Sequence, residues 1–107
     1  MSLPSPRNVL PLEGQIDLNV SAKVAESLAQ LIKDKPARLV VDLSGVNYID
    51  SSGLAVLING MRDMEDFGGI FILAGVRDEV RPILESARLE NFFSLFSPSV
   101  DEALAAP

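Results

Sequence analysis

The sequence predicts an α/β domain built on a largely parallel sheet, and three observations carry that prediction. Two short runs, residues 38–43 and 70–75, are rich in β-branched residues and apolar on both faces, as strands covered on both sides are. The segments around them carry apolar residues at helical spacing. The two patterns alternate along the chain, strand then helix, which implies parallel strands joined by right-handed crossovers. At 107 residues and 48% apolar content, the chain has the size and hydrophobicity of one domain with a real core. We expect that domain to span 1–107, with loose ends at about 1–6 and 106–107.

The first strand run, VLPLEGQI at 9–16, breaks at Gly14. Pro11 restricts it to a sheet edge or a bulge, because proline has no N–H for the ladder. From 20 to 33 the apolar residues fall at 20, 24, 28 and 31, with Ala25 and Ile32 beside them, and Pro36 ends this helix. RLVVDL at 38–43 is the first buried strand; Ser44-Gly45 breaks it, and VNYI brings the chain to Asp50. From Ser51 to about Glu65 the helical stripe is 54, 57, 58, 61 and 64, stopped by Gly68-Gly69. IFILAG at 70–75 is the second buried strand. In the next helix, 78–89, Val80, Ile83, Leu84 and Ala87 share a face, and Pro82 is tolerated in the first turn. FFSLF at 92–96 is a short strand or turn, and Ser97-Pro98-Ser99 caps a last helix through 106.

Met61 and Met64 lie on the second helix's stripe and read as core. Arg62, Asp63, Glu65 and Asp66 read as a solvated face. Phe92, Phe93 and Phe96 close the core under the last helix, and Tyr48 packs beneath the turn at Asp50 with its hydroxyl near the surface.

The formal charge is −6. That argues against binding nucleic-acid phosphates or anionic membranes, and favours a protein partner. There is no cysteine and no histidine. Disulfides, thiolate chemistry, the usual zinc ligands and the usual general base are therefore excluded, and a reducing cytoplasm suits the chain. No apolar run approaches the length of a membrane span, and MSLPSPRN is not a signal peptide. Without a secretory signal, Asn19-Val20-Ser21 matches a glycosylation acceptor by chance.

Chemistry concentrates at NYIDSSGLAVL, 47–57, where Asp50, Ser51, Ser52 and Gly53 join a strand run to a helix. Sites in α/β folds gather at such junctions, and Asp17 stands at another. Three readings fit. As caps, Asp and Ser accept hydrogen bonds from first-turn N–H groups. As nucleophiles, the serines lack an activating base: Lys23, Lys33 and Lys35 show no sign of burial, and IDSSGL lacks the first glycine of a nucleophile elbow. As a switch, a hydroxyl at a helix N-terminus can take a phosphoryl group, adding about −1.5 to −2 charges that free N–H groups and the helix dipole tolerate. Phosphate-binding glycine loops are missing, and Asp17, Asp42 and Asp50 are scattered, so neither metal nor cofactor is expected.

Taken together, GQID at 14–17, LVVDLSGVNYIDSSGLAVL and GGIFILAG resemble the STAS domain, and more narrowly the bacterial anti-sigma factor antagonists. The resemblance covers roughly 9–105. It implies a small STAS-type α/β fold: a four- to five-stranded, mostly parallel or mixed sheet with about four helices. It implies a non-enzymatic binding switch that is phosphorylated on Ser51, with Ser52 the alternative acceptor. Asp17, Asp50, Ser51, Ser52 and Gly53 form the partner-binding surface. The implied partners are a serine-kinase anti-sigma factor that uses ATP and a metal-dependent serine phosphatase. The unphosphorylated form binds the kinase and frees a sigma factor, with neither nucleic acid nor membrane bound directly.

The chain departs from the family pattern in four places. It is short before the G-x-I-D strand, and it has Gln15 for an acidic residue, Arg88-Leu89 for Gly-Leu, and Pro11 within a strand. Two alternatives stay open: a STAS subunit of a transport or signalling assembly with a constitutive interface, and a nucleotide-binding domain.

Overall fold

The structure, a computed structural model, describes residues 8–86, 96–97 and 100–105. Along them run β1 (Val9–Ile16), α1 (Leu18–Ile32), β2 (Arg38–Ile49), α2 (Ser51–Glu65), β3 (Ile70–Ala74), α3 (Arg81–Ser86), β4 (Phe96–Ser97) and α4 (Val100–Ala105). The strands form one sheet in the order β1-β2-β3-β4, every neighbouring pair parallel. The expected α/β class and the alternation both hold.

Pro11 is explained on both counts the sequence offered. β1 is an edge strand, and its register with β2 shifts between Pro11 and Glu13 and again between Gly14 and Gln15. At each shift β2 carries one more residue than β1: Pro11 and Glu13 pair with Asp42 and Gly45, and Gly14 and Gln15 pair with Val46 and Tyr48. These are bulges on β2. They correct the expectation that Ser44-Gly45 ends the strand; β2 runs on to Ile49. At the first bulge the Asp42 carboxylate accepts the Ser44 N–H at 3.0 Å, giving that amide a partner outside the ladder.

The bulges also re-phase the side chains. Leu39, Val41 and Leu43 point to one face with period two, but the next core residues are Val46 and Ile49, three apart each time. On that face the core joins β1, β2 and β3 to α1 and α2 through Ile16, Val24, Leu28, Leu57, Met61, Met64, Phe71 and Leu73. Val80 and Leu84 extend it to α3. Met61 and Met64 are core as expected, and Arg62, Asp63, Glu65 and Asp66 are exposed.

The opposite face is covered more thinly. Val40, Ile72 and Ala74 pack there with Val9, Ile70 and α4's Val100 and Leu104. Arg38 donates from Nη1 to the Leu104 carbonyl at 2.9 Å, tying the end of α4 to the start of β2. Further along this face Pro11, Glu13, Gln15 and Tyr48 are exposed.

Boundaries differ from expectation in places. α1 starts at Leu18 rather than Val20, because Asp17 is its N-cap. Lys35, at φ 52°, turns the chain out of α1 just before Pro36. Gly68, at φ 80°, ends α2 in the left-handed conformation that glycine adopts without steric cost. α3 begins at Arg81, three residues later than expected, and Pro82 lies in its first turn. The end of that expected helix, and Phe92 and Phe93, lie outside the described residues. β4 is limited to Phe96–Ser97, and the last helix begins at Val100.

Leu39 is fully buried in the main cluster. Leu39→Ala should lower stability by about 2–5 kcal/mol, seen as a shifted urea midpoint with an unchanged slope.

Candidate functional site

Both acidic residues of the expected site are helix caps at adjacent strand ends. Ile16 and Ile49 are register partners, so β1 and β2 end side by side. Asp17 follows one and Asp50 the other, and the Asp50 N–H closes the ladder onto the Ile16 carbonyl at 3.1 Å. Asp17 accepts the Asn19 N–H at 3.0 Å. Asp42 lies seven residues upstream of Ile49 along β2 and takes no part. Among the described residues no acidic cluster fit to hold a metal ion is present.

Asp50 does more than cap. Its Oδ1 accepts the Ser52 N–H at 2.9 Å, the Gly53 N–H at 3.1 Å and the Ser52 hydroxyl at 2.6 Å. These bonds hold its carboxyl below the usual carboxylate range; the Ser52 hydroxyl contributes most, then the Gly53 N–H. A weaker contribution comes from the Leu18 N–H, which opens α1.

The two serines are distinguished by this arrangement. Ser51, the first residue of α2, is exposed, and its hydroxyl has no partner among the described residues. Ser52 is half-buried and its hydroxyl is committed to Asp50. The expectation that free N–H groups would receive a phosphate needs correcting: the Ser52 and Gly53 N–H groups are already directed at Asp50. A charge on Ser51 would be turned outward beside a carboxylate.

Gly53 is buried and serves from beneath. A Cβ there would lie 2.7 Å from the Ile16 carbonyl and 2.9 Å from the Ile49 side chain. Its lack of a side chain lets α2 seat directly on the ends of β1 and β2. Tyr48 departs from expectation: it is 46% exposed rather than packed under the turn. The second bulge turns it away from the core that Ile49 enters. Leu18, which the sequence did not single out, is 77% exposed beside Asp17. Its place just after the helix-capping aspartate was the available signal.

Gly53→Ala should destabilise the fold by about 1–3 kcal/mol despite alanine's better helix propensity, since the opposing carbonyl cannot retreat; thermal unfolding measures this. The depressed Asp50 pKa stabilises the fold fully above the ordinary aspartate value of about 3.9, and this stability is lost as pH falls through the lower folded value. Asp50→Asn, which keeps an accepting oxygen, should flatten that part of the acid-unfolding curve. Carboxyl-carbon NMR should give Asp50 a titration midpoint below that of an ordinary aspartate.

The family model of the STAS domain matches residues 3–103. Over 49 residues the chain is 41% identical to the anti-sigma-F factor antagonist RsfB of Mycobacterium tuberculosis (strain H37Rv). That alignment covers 46% of this chain and 40% of RsfB, less than half of that relative's length. An anti-sigma factor antagonist structure from Mycobacterium paratuberculosis superposes with a TM-score of 0.81 at 28% identity, covering 92% of this chain and 82% of that one. A sulfate transporter family protein from Wolinella succinogenes shares the fold, with a TM-score of 0.76 at 24% identity, covering 96% and 87%. Its sheet, its capped helix starts and the match across nearly its whole length make this chain a member of the STAS domain family.

Proposed function

We propose that the protein is an anti-sigma factor antagonist whose binding is switched by phosphorylation of Ser51. The observation that carries this reading is the difference between neighbouring hydroxyls: Ser51 is exposed, with no partner among the described residues, while Ser52 is locked onto Asp50 at 2.6 Å. The similarity to named anti-sigma factor antagonists supports it.

In this reading the unphosphorylated surface around Asp17, Asp50 and Ser51 docks a cytoplasmic serine-kinase anti-sigma factor and so frees a sigma factor. The kinase transfers the γ-phosphoryl group of ATP to the Ser51 oxygen, the hydroxyl proton leaves, and ADP is released. The product carries about −1.5 to −2 more charge at the centre of the contact. A metal-dependent phosphatase hydrolyses the ester and restores the hydroxyl. The domain itself needs no catalytic base, since the kinase supplies the chemistry.

Magnitudes favour a switch that acts on binding rather than on folding. At ~5 Å in water, a dianion and a carboxylate repel by about 1–2 kcal/mol, within the 5–15 kcal/mol by which domains are typically stable. In a contact that excludes water, at an effective dielectric constant of ~20, the same charges repel by several kcal/mol. That difference is worth orders of magnitude in affinity.

With the purified serine-kinase anti-sigma factors of the same genome, wild type and Ser51→Ala should bind one of them alike, and Ser51→Asp should lose at least tenfold in affinity. Incubation with that kinase and ATP should add one phosphate to wild type and to Ser52→Ala, and none to Ser51→Ala, by intact-mass analysis. Equal binding by all three Ser51 forms would leave Ser51 a plain helix residue and favour a constitutive interface.

A further inference from the structure

Two large apolar side chains stand exposed among the described residues, Leu18 at 77% and Tyr48 at 46%, and both flank the Ser51 turn. Scattered singly over a surface, such residues need no explanation. Here they bracket one short stretch. Leu18 lies two residues beyond Ile16, and Tyr48 one residue before its register partner Ile49. Strand geometry puts their Cα atoms on the order of 10 Å apart.

Each is held in its place by the local backbone. Asp17 caps α1, so Leu18 becomes the first residue of the helix, where the chain emerges from the sheet. The Asp50 N–H meets the Ile16 carbonyl two residues before Leu18, so the starts of α1 and α2 lie side by side. Tyr48 stands at the second bulge of β2, paired with exposed Gln15. Without that extra residue the alternation of β2 would differ by one position. Tyr48 also lies on the face that α4 covers through Val9, Val40, Ile70, Ile72 and Ala74, a cluster that does not reach the end of β2. A parallel sheet is ordinarily covered on both faces, and among the described residues none packs over this stretch, where Tyr48 is 46% exposed.

We infer that Leu18 and Tyr48 are the two apolar anchors by which the docked anti-sigma factor is held, both at the strand ends that carry Ser51. This inference rests on the function proposed above and adds to it the residues that supply affinity. The occupant is a protein whose docking face has apolar sockets set among basic groups. Charge complementarity argues for that chemistry: Asp17 and Asp50 stand between the anchors, and the chain carries a net charge of −6. Tyrosine gives an interface a large, rigid contact with a polar tip, and it is enriched among residues that dominate binding energy. Ser51 starts α2 three residues after Tyr48, at the same strand ends as Leu18, so a phosphate there enters the contact that the anchors close, where repulsion is least screened.

The test compares wild type, Leu18→Ala, Tyr48→Ala, Asp17→Asn and Glu65→Ala by calorimetry against the serine-kinase anti-sigma factor that binds wild type. Both apolar side chains are solvent-exposed, so the alanine variants should melt with wild type, which circular dichroism checks. Asp17→Asn keeps a capping oxygen and removes only charge. Tyr48→Ala should raise Kd at least tenfold and Leu18→Ala several-fold. Asp17→Asn should weaken binding and reduce its salt dependence, while Glu65→Ala, at the far end of α2, should bind as wild type does.

Wild-type affinity in both alanine variants, with Ser51→Asp still excluded, would overturn the anchors and leave the proposed function standing. No binding of wild type to any such kinase would remove both. Sedimentation of the chain alone is the remaining arm. If wild type dimerises, both alanine variants are monomeric and kinase binding is unchanged, the patch joins copies of this chain and the inference fails.

Discussion

The Asp50 carboxylate is the point on which the working end of this domain depends. One oxygen accepts three hydrogen bonds from Ser52 and Gly53. It thereby caps α2 and immobilises one of two adjacent hydroxyls. Gly53 makes the arrangement possible, because only a residue without Cβ allows the α2 backbone so close to the Ile16 carbonyl. The aspartate and the glycine of the D-S-S-G-L motif are thus structural, and they define what surrounds the first serine.

This division of labour gives a switch its physical basis. Phosphorylating Ser52 would require breaking a charge-assisted 2.6 Å hydrogen bond at a half-buried position. Ser51 is exposed and carries no such bond among the described residues. Asp50 already engages the Ser52 and Gly53 amides, so a phosphate on Ser51 would have to compete with it for them. In the proposed switch the added charge stands at an exposed position, where a docking partner would meet it. The core meanwhile sits beneath, through Ile16, Ile49 and Leu57, and nothing in that packing has to move.

Much of this was legible in the chain. The helical stripes, the two doubly buried strands, the stop at Gly68 and the edge character of the Pro11 strand all follow from side-chain periodicity and from what proline and glycine do to a backbone. The junction at Asp50 was legible because a helix cap needs an acceptor in a known place. What was not legible was the register. Ser44-Gly45 looks like a strand end in sequence, and only pairing with β1 reveals it as a bulge. A second bulge, where Gly14 and Gln15 pair with Val46 and Tyr48, sets Tyr48 opposite the core that Ile49 enters, and no sequence pattern marks it. Leu18 was overlooked because the apolar stripe of α1 begins at Val20, and Leu18 lies outside it.

The account's central claim is that charge on Ser51 alters the surface while the fold stays as it is. The most direct measurement is an amide NMR comparison of the unphosphorylated protein with the same protein phosphorylated on Ser51. The account predicts shift changes confined to residues around 16–19 and 48–54, with β3 and the buried positions of α2 unmoved. Changes running through Phe71–Ala74, or a general loss of dispersion, would contradict it and mean that the phosphate acts by remodelling the domain.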